Sequence, residues 1–327
     1  MKRWVSTSMV GIVLAAVVSC SSGEEASAPT SDVDNSDSAF PVSVDTKFGE
    51  VTVPSRPQRV VALGWADAET ALALDVQPVG ASDWLAFGGD GVGPWAEGLY
   101  DESPDIIGTQ EPSYEAVAAL APDVILDTKS SGDRDRYDRL SSIAPTIAIP
   151  EGADNYLTTV EQQVTMISAA LGESDKGRRL LADLEDDFGA AADGHPQFAG
   201  ETITVGAYSG SGYAAYVPEN SRMLFMQRLG FEPSPVIDDL PATGFSVPIS
   251  EEELDLLDAD VLLVLPVNTS ATDVTSNPLF QRIPAVRDGR ALVFDDPDLQ
   301  KSYATNSILS IDYALGTVVP AVAKLVR

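Results

Sequence analysis

A fourteen-residue pattern occurs twice in this chain, the second time 137 residues after the first. The first copy runs from Ser113 through Glu115, Val117, Leu120 and Asp123-Val124 to Leu126. The second runs from Ser250 through Glu252, Leu254, Leu257 and Asp260-Val261 to Leu263. Each copy predicts an N-cap serine, a two-turn helix with an acid in its first turn, a break and a strand. The apolar runs Val124-Ile125-Leu126 and Val261-Leu262-Leu263-Val264 are too short for helices and suit buried strands of a parallel sheet. A unit used twice implies two similar α/β lobes, with a cleft between them for a small ligand.

The flanking sequence alternates in the same way. Strands are expected at 59–63, 76–81, 106–108 and 145–150, with helices at 67–74 and 137–143. After 198, strands are expected at 203–206 and 291–294, with helices at 220–229 and 307–324. Residues 155–194 carry no strand signal. Val160, Val164, Ile167 and Leu171, then Leu180, Leu184 and Phe188, fall at helical spacing on either side of Gly172. Two helices there make a stiff join and allow only a small closing motion. The expected division is 41–154 for the first lobe, 155–197 for the joining helices and 198–327 for the second lobe.

Lys2 and Arg3 precede an apolar stretch shorter than the ~20 residues a membrane-spanning helix needs. That makes 1–19 an export signal. It ends in Val17-Val18-Ser19-Cys20, which resembles a bacterial lipobox, and the resemblance implies cleavage before Cys20 and acylation of its sulfur. Cys20 is the only cysteine, so no disulfide is expected within the chain. Residues 20–40 are rich in Ser, Asp, Ala and Glu and are expected to be a flexible tether.

The net charge is −30, which becomes about −32 when the two cations of the signal are removed. Nucleic acid is thereby excluded as a partner. His195 is the only histidine and stands between Gly194 and Pro196 in an expected loop. Histidine-activated nucleophiles and His- or Cys-rich metal sites therefore lack their parts. No phosphate-binding glycine loop is present either.

The loops expected after the strands carry aromatic rings and cations instead. Trp65, Trp84, Tyr208, Phe245 and Tyr303 are the candidate wall, and Arg222 and Arg134 the candidate cations. Ligands of open α/β sheets bind beyond the carboxyl ends of the strands. Flat rings with a few guanidiniums suit a large, partly anionic ligand.

The chain resembles the substrate-binding lipoproteins of ABC importers for ferric siderophores, which share a fold with the periplasmic cobalamin-binding protein. The residues that carry the likeness include Arg59-Val60-Val61-Ala62-Leu63, Leu120-Ala121-Pro122-Asp123-Val124-Ile125, Ile143-Ala144-Pro145-Thr146 and Leu229-Gly230-Phe231. The resemblance implies two Rossmann-like lobes with parallel sheets, joined by a long rigid helix as in class III periplasmic binding proteins. It implies a monomeric, lipid-anchored receptor on the outer face of the cytoplasmic membrane. The ligand is then a ferric siderophore, whose metal is held by the chelator and not by the protein, with no cofactor and no catalysis. Glu115 and Glu252 match the glutamates that meet arginines of the permease dimer in that family. Cobalamin or haem as the ligand, or a two-lobed chelatase or carboxylate-based hydrolase, are the alternatives.

Overall fold

In a computed structural model the chain is described over residues 40–108 and 111–326. The export signal, Cys20 and almost all of the tether lie outside the described residues.

The first element was not expected from the sequence: an antiparallel hairpin of β1 (Val42–Thr46) and β2 (Gly49–Val53). Inward-facing Val44, Val51 and Val53 alternate with exposed residues and pack on the first core.

Five short parallel strands come next: β3 (Val60–Ala62), β4 (Gly80–Ser82), β5 (Asp105–Ile107), β6 (Val124–Leu126) and β7 (Thr146–Ile147). Their order across the sheet is β5-β4-β3-β6-β7. That is the doubly wound order, with its topological switch point between β3 and β6. The crossovers carry α1 (Asp67–Ala73), α2 (Tyr114–Ala119) and α3 (Arg134–Ser141). Ser113 caps α2 by accepting a hydrogen bond from the Ala116 N–H at 3.2 Å.

The join consists of α4 (Val160–Leu171) and α5 (Ser174–Gly194). Gly172, at φ 74°, makes the left-handed turn that ends α4. Val160 and Val164 pack in the core of the second half, while Ile167 and Leu171 pack in that of the first. One helix thus belongs to both cores.

The second sheet is built from β8 (Thr202–Tyr208), β9 (Tyr213–Tyr216), β10 (Glu232–Pro233), β11 (Ser246–Ile249), β12 (Val261–Pro266) and β13 (Ala291–Val293). Around it lie α6 (Ser221–Arg228), α7 (Pro235–Asp238), α8 (Ala271–Thr275), α9 (Pro284–Arg287), α10 (Pro297–Thr305) and α11 (Ile308–Val322). The strand order is β11-β9-β8-β12-β13, with β10 beside the start of β8. This sheet is mixed where a parallel one was expected. The Tyr208–Tyr213 turn folds β9 back antiparallel on β8, and β11 adds to β9. The aromatic-rich segment after 208 is therefore largely strand, not the loop its sequence suggests.

The repeated Asp-Val has one physical role in both halves. Asp123 accepts from the Gln58 and Arg59 N–H groups at 2.7 and 3.0 Å, fastening the start of β6 to the start of β3. Asp260 accepts from the N–H and hydroxyl of Thr202 at 2.9 and 2.6 Å, fastening β12 to β8. The serines diverge. Ser250 does not cap its helix, because its hydroxyl donates to Glu253 at 2.7 Å. Glu251–Leu257 form a 3-10 helix, kinked at Glu253, in place of the two α-turns expected.

Candidate ligand-binding site

A cavity of about 640 Å³ opens where the carboxyl ends of the two sheets meet. Trp65, Trp84 and Ala86 wall it from the first half, and Ala207, Arg222, Phe245 and Pro266 from the second. Trp65 follows β3, and Pro266 ends β12. The carboxyl end of a central strand in each sheet therefore faces the cavity. The volume lies inside the ~300–1,000 Å³ usual for small-molecule sites.

The aromatic wall is a continuous stack. The Trp65 ring lies between Trp84 (centroids 4.3 Å apart, planes at 8°) and Tyr156 (4.0 Å, 20°). Phe245 meets Trp65 and Tyr156 edge-on at 6.3 Å, and Tyr216 lies 6.3 Å beyond it. Ala66 and Tyr156 hold left-handed backbone at φ 65° and 64°, a costly conformation for residues with a Cβ. Both belong to or adjoin the stack, so backbone strain goes into aiming these rings.

Beneath the stack is a buried polar layer. The Asp67 carboxylate accepts from the Thr128 N–H at 2.9 Å, from the Thr128 hydroxyl and from Gln163 Nε2 at 2.5 Å. Gln163 also donates to the Trp65 carbonyl at 2.8 Å, which fixes the loop that carries the ring. Burial pushes the Asp67 carboxyl up to about 6, against the pull of these hydrogen bonds. Lys129 is adjacent to Thr128 in sequence and is 2% exposed. Burial, then the Arg222 charge, lowers its ammonium to about 7.

Arg222 is 6% exposed and sits with its guanidinium 4.8 Å from the Tyr216 ring centroid. Its Nε has no hydrogen-bond partner among the described residues.

Four of the seven residues expected at the site, Trp65, Trp84, Arg222 and Phe245, lie together on this cavity. The other three do not. Tyr303 is fully buried: it lies on α10, not in a loop, and its hydroxyl donates to the Arg222 carbonyl at 2.6 Å. It therefore holds the backbone of a cavity residue. Tyr208 falls on the opposite face of β8 from Ala207, as alternation along a strand requires, and packs on Tyr213 at 4.5 Å. Arg134 is exposed on α3, spread over Phe48 and paired with Asp138 at 3.1 Å. The buried arginine of that helix is Arg136, bound at two points to Asp127.

Sequence reasoning missed Tyr156 and Lys301. Lys301 lines the cavity, donates to the Ala86 carbonyl at 3.0 Å and lies 4.8 Å from the Phe87 ring centroid, so it bridges the two walls. The Asp296-Pro297 start signal for α10 could have revealed it, since Asp296 accepts from the Asp298 and Leu299 N–H groups. Glu115 and Glu252 are both exposed, outside the cavity lining. Among the described residues no group of three or more His, Cys, Asp or Glu side chains is arranged to hold a metal ion.

Two sheets whose carboxyl ends close on a ring-lined cavity define a two-lobed small-molecule-binding architecture. Residues 60–298 match the family model described as periplasmic binding protein, and the chain belongs to that family of substrate-binding proteins. It is 28% identical over 315 residues to a probable siderophore-binding lipoprotein, YfiY, of Bacillus subtilis, covering 90% of this chain and 92% of that one. It is 25% identical to the ferric enterobactin-binding periplasmic protein FepB of Escherichia coli, covering 76% of this chain and 82% of FepB. A periplasmic solute-binding protein of Mycobacterium smegmatis superposes with a TM-score of 0.74 at 28% identity, over 88% of this chain and 99% of the other.

Proposed function

We propose that this protein is a receptor that binds a ferric siderophore in the cavity between its halves and delivers it to an ABC importer. The observation that carries the reading is the cavity wall, where stacked rings stand beside a buried arginine with an unused donor. Such a wall accepts a flat, metal-loaded chelate without supplying metal ligands itself. The relatives named for siderophore and ferric enterobactin binding support the same choice.

The ligand leaves unchanged, so the protein acts as a carrier and not as an enzyme. Cys20 anchors it by acylation to the outer face of the cytoplasmic membrane, with 20–40 as the tether. The working units are 41–154, 155–197 and 198–327. Glu115 and Glu252, exposed on the two halves, meet a two-fold permease with paired negative charge.

Trp65 and Trp84 report on the cavity directly. Titration with a ferric tris-catecholate, a ferric tris-hydroxamate, cobalamin and haem is expected to quench their fluorescence with sub-micromolar midpoint for a ferric chelate. A response to cobalamin or haem alone, or to none of the four, overturns the proposal.

A further inference from the structure

The chain carries 50 aspartates and glutamates against 20 lysines and arginines, yet its cavity reverses that balance. Among the described residues that line it, the charged ones are Arg222 and Lys301, and none is an aspartate or glutamate. The partners of these two cations are neutral. Lys301 Nζ donates to the Ala86 carbonyl at 3.0 Å and lies 4.8 Å from the Phe87 ring centroid. Arg222 reaches the Asn220 Oδ1 with one nitrogen at 3.5 Å and faces the Tyr216 ring at 4.8 Å.

The geometry leaves donors to spare. An ammonium has three N–H groups, and the Ala86 carbonyl engages one of those of Lys301. That bond runs from α10 in the second half to the first half, so it holds a long, half-buried side chain at the cavity wall before any ligand arrives. Part of the cost of ordering the side chain is therefore met in advance. On the same lining, Trp65 Nε1 and Arg222 Nε are buried and have no hydrogen-bond partner among the described residues. Native interiors rarely leave buried donors unpaired, and these two ask for acceptor atoms supplied from outside. Positive charge, unused donors and no carboxylate on one wall fit a guest that is rich in oxygen acceptors and carries negative charge.

We propose that Lys301 is a specificity-determining residue of the cavity: together with Arg222, its ammonium makes the site prefer ferric chelates of net negative charge over neutral ones. In a partly enclosed site each cation attracts an anion more strongly than it does in bulk water. A neutral chelate still stacks on the rings but gains little from either charge. A lysine that served only to tie the two walls together would help both kinds of chelate alike. This inference rests on the ferric-chelate reading above and adds the class of chelate.

Quenching of tryptophan fluorescence in the mature chain tests it. The probes are a ferric tris-catecholate, which is anionic, and ferrichrome, which is neutral. The unmodified protein is expected to bind the anion more tightly, and the preference should narrow as salt is raised to ~0.5 M. Lys301→Met is expected to weaken the anionic chelate by about tenfold or more, the usual scale for a lost charge-assisted hydrogen bond, and ferrichrome by less than about threefold. Lys301→Arg should keep most of the preference. Equal losses for the two chelates in Lys301→Met, or ferrichrome bound by the unmodified protein as tightly as the anion, overturn the inference while the receptor reading stands. Failure of every ferric chelate to bind removes the receptor reading itself. Should Lys301→Met not fold, the salt series on the unmodified protein decides alone, and a preference indifferent to salt overturns the inference.

Discussion

Lys129 makes a stability prediction that needs no ligand. In the unfolded chain its ammonium titrates at the ordinary 10.5; in the folded protein burial brings this to about 7. Between those values the unfolded state holds a proton that the folded state lacks, so stability rises with pH. The penalty is largest below pH 7, at about 5 kcal/mol from the 3.5-unit difference, and fades as pH approaches 10.5. From pH 7.5 to 9.0 the folded state should gain about 2 kcal/mol from this one group. Across that window the wild-type slope also carries the Glu69 and Asp127 carboxyls, both raised by burial, and these cancel when Lys129→Met is the comparison. Asp67, raised to about 6, titrates below it, and Tyr213, raised to about 12, above it. Urea unfolding at half-unit steps of pH measures the slope. Lys129→Met should flatten it and be the more stable protein throughout, because a buried amine is replaced by an apolar chain of similar length. Equal slopes for the two proteins, or a steeper rise in Lys129→Met than in the wild type, would refute the assignment of an uncharged buried lysine.

Tyr303→Phe should cost about 1–3 kcal/mol in urea unfolding, since it leaves the Arg222 carbonyl without its buried donor, and should change ligand affinity less than threefold. A tenfold loss of affinity at unchanged stability would put the hydroxyl in the cavity after all. Glu115→Lys combined with Glu252→Lys should abolish cellular uptake of the radiolabelled ferric chelate while the purified protein binds it as before; lost binding would refute the docking role. Asp260→Ala should destabilise by about 1 kcal/mol at pH 7, allowing for solvent screening of an exposed carboxylate. Thr202 holds that carboxyl below its usual range, so its contribution is present above pH ~4 and disappears as pH falls through the lowered value. An effect of equal size at pH 3 would count against it.

The doubled architecture was legible because its signals are local. Val124-Ile125-Leu126 and the Val261 run are buried strands, and the helical spacing across 160–188 is a helix pair. Trp65 and Trp84 are located by the rule that strand ends face the ligand. The failures occur where side-chain direction depends on a neighbour. Whether Tyr208 or Ala207 faces the cavity turns on the register of β8, which β9 and β12 fix from far away in sequence. Tyr303 reads as a loop residue unless α10 is recognised, and position on that helix decides between cavity and core. The depth of Lys129 could not be read at all, since burial depends on elements distant in sequence packing around it.

The two aspartate fastenings sit at the amino ends of the sheets, while the cavity is built at the opposite ends. Cargo choice and scaffold integrity are thereby written in different segments. Swapping 84–87, 209–212 or 267–270 for stretches of other composition should retool the protein for a new passenger without loosening either joint.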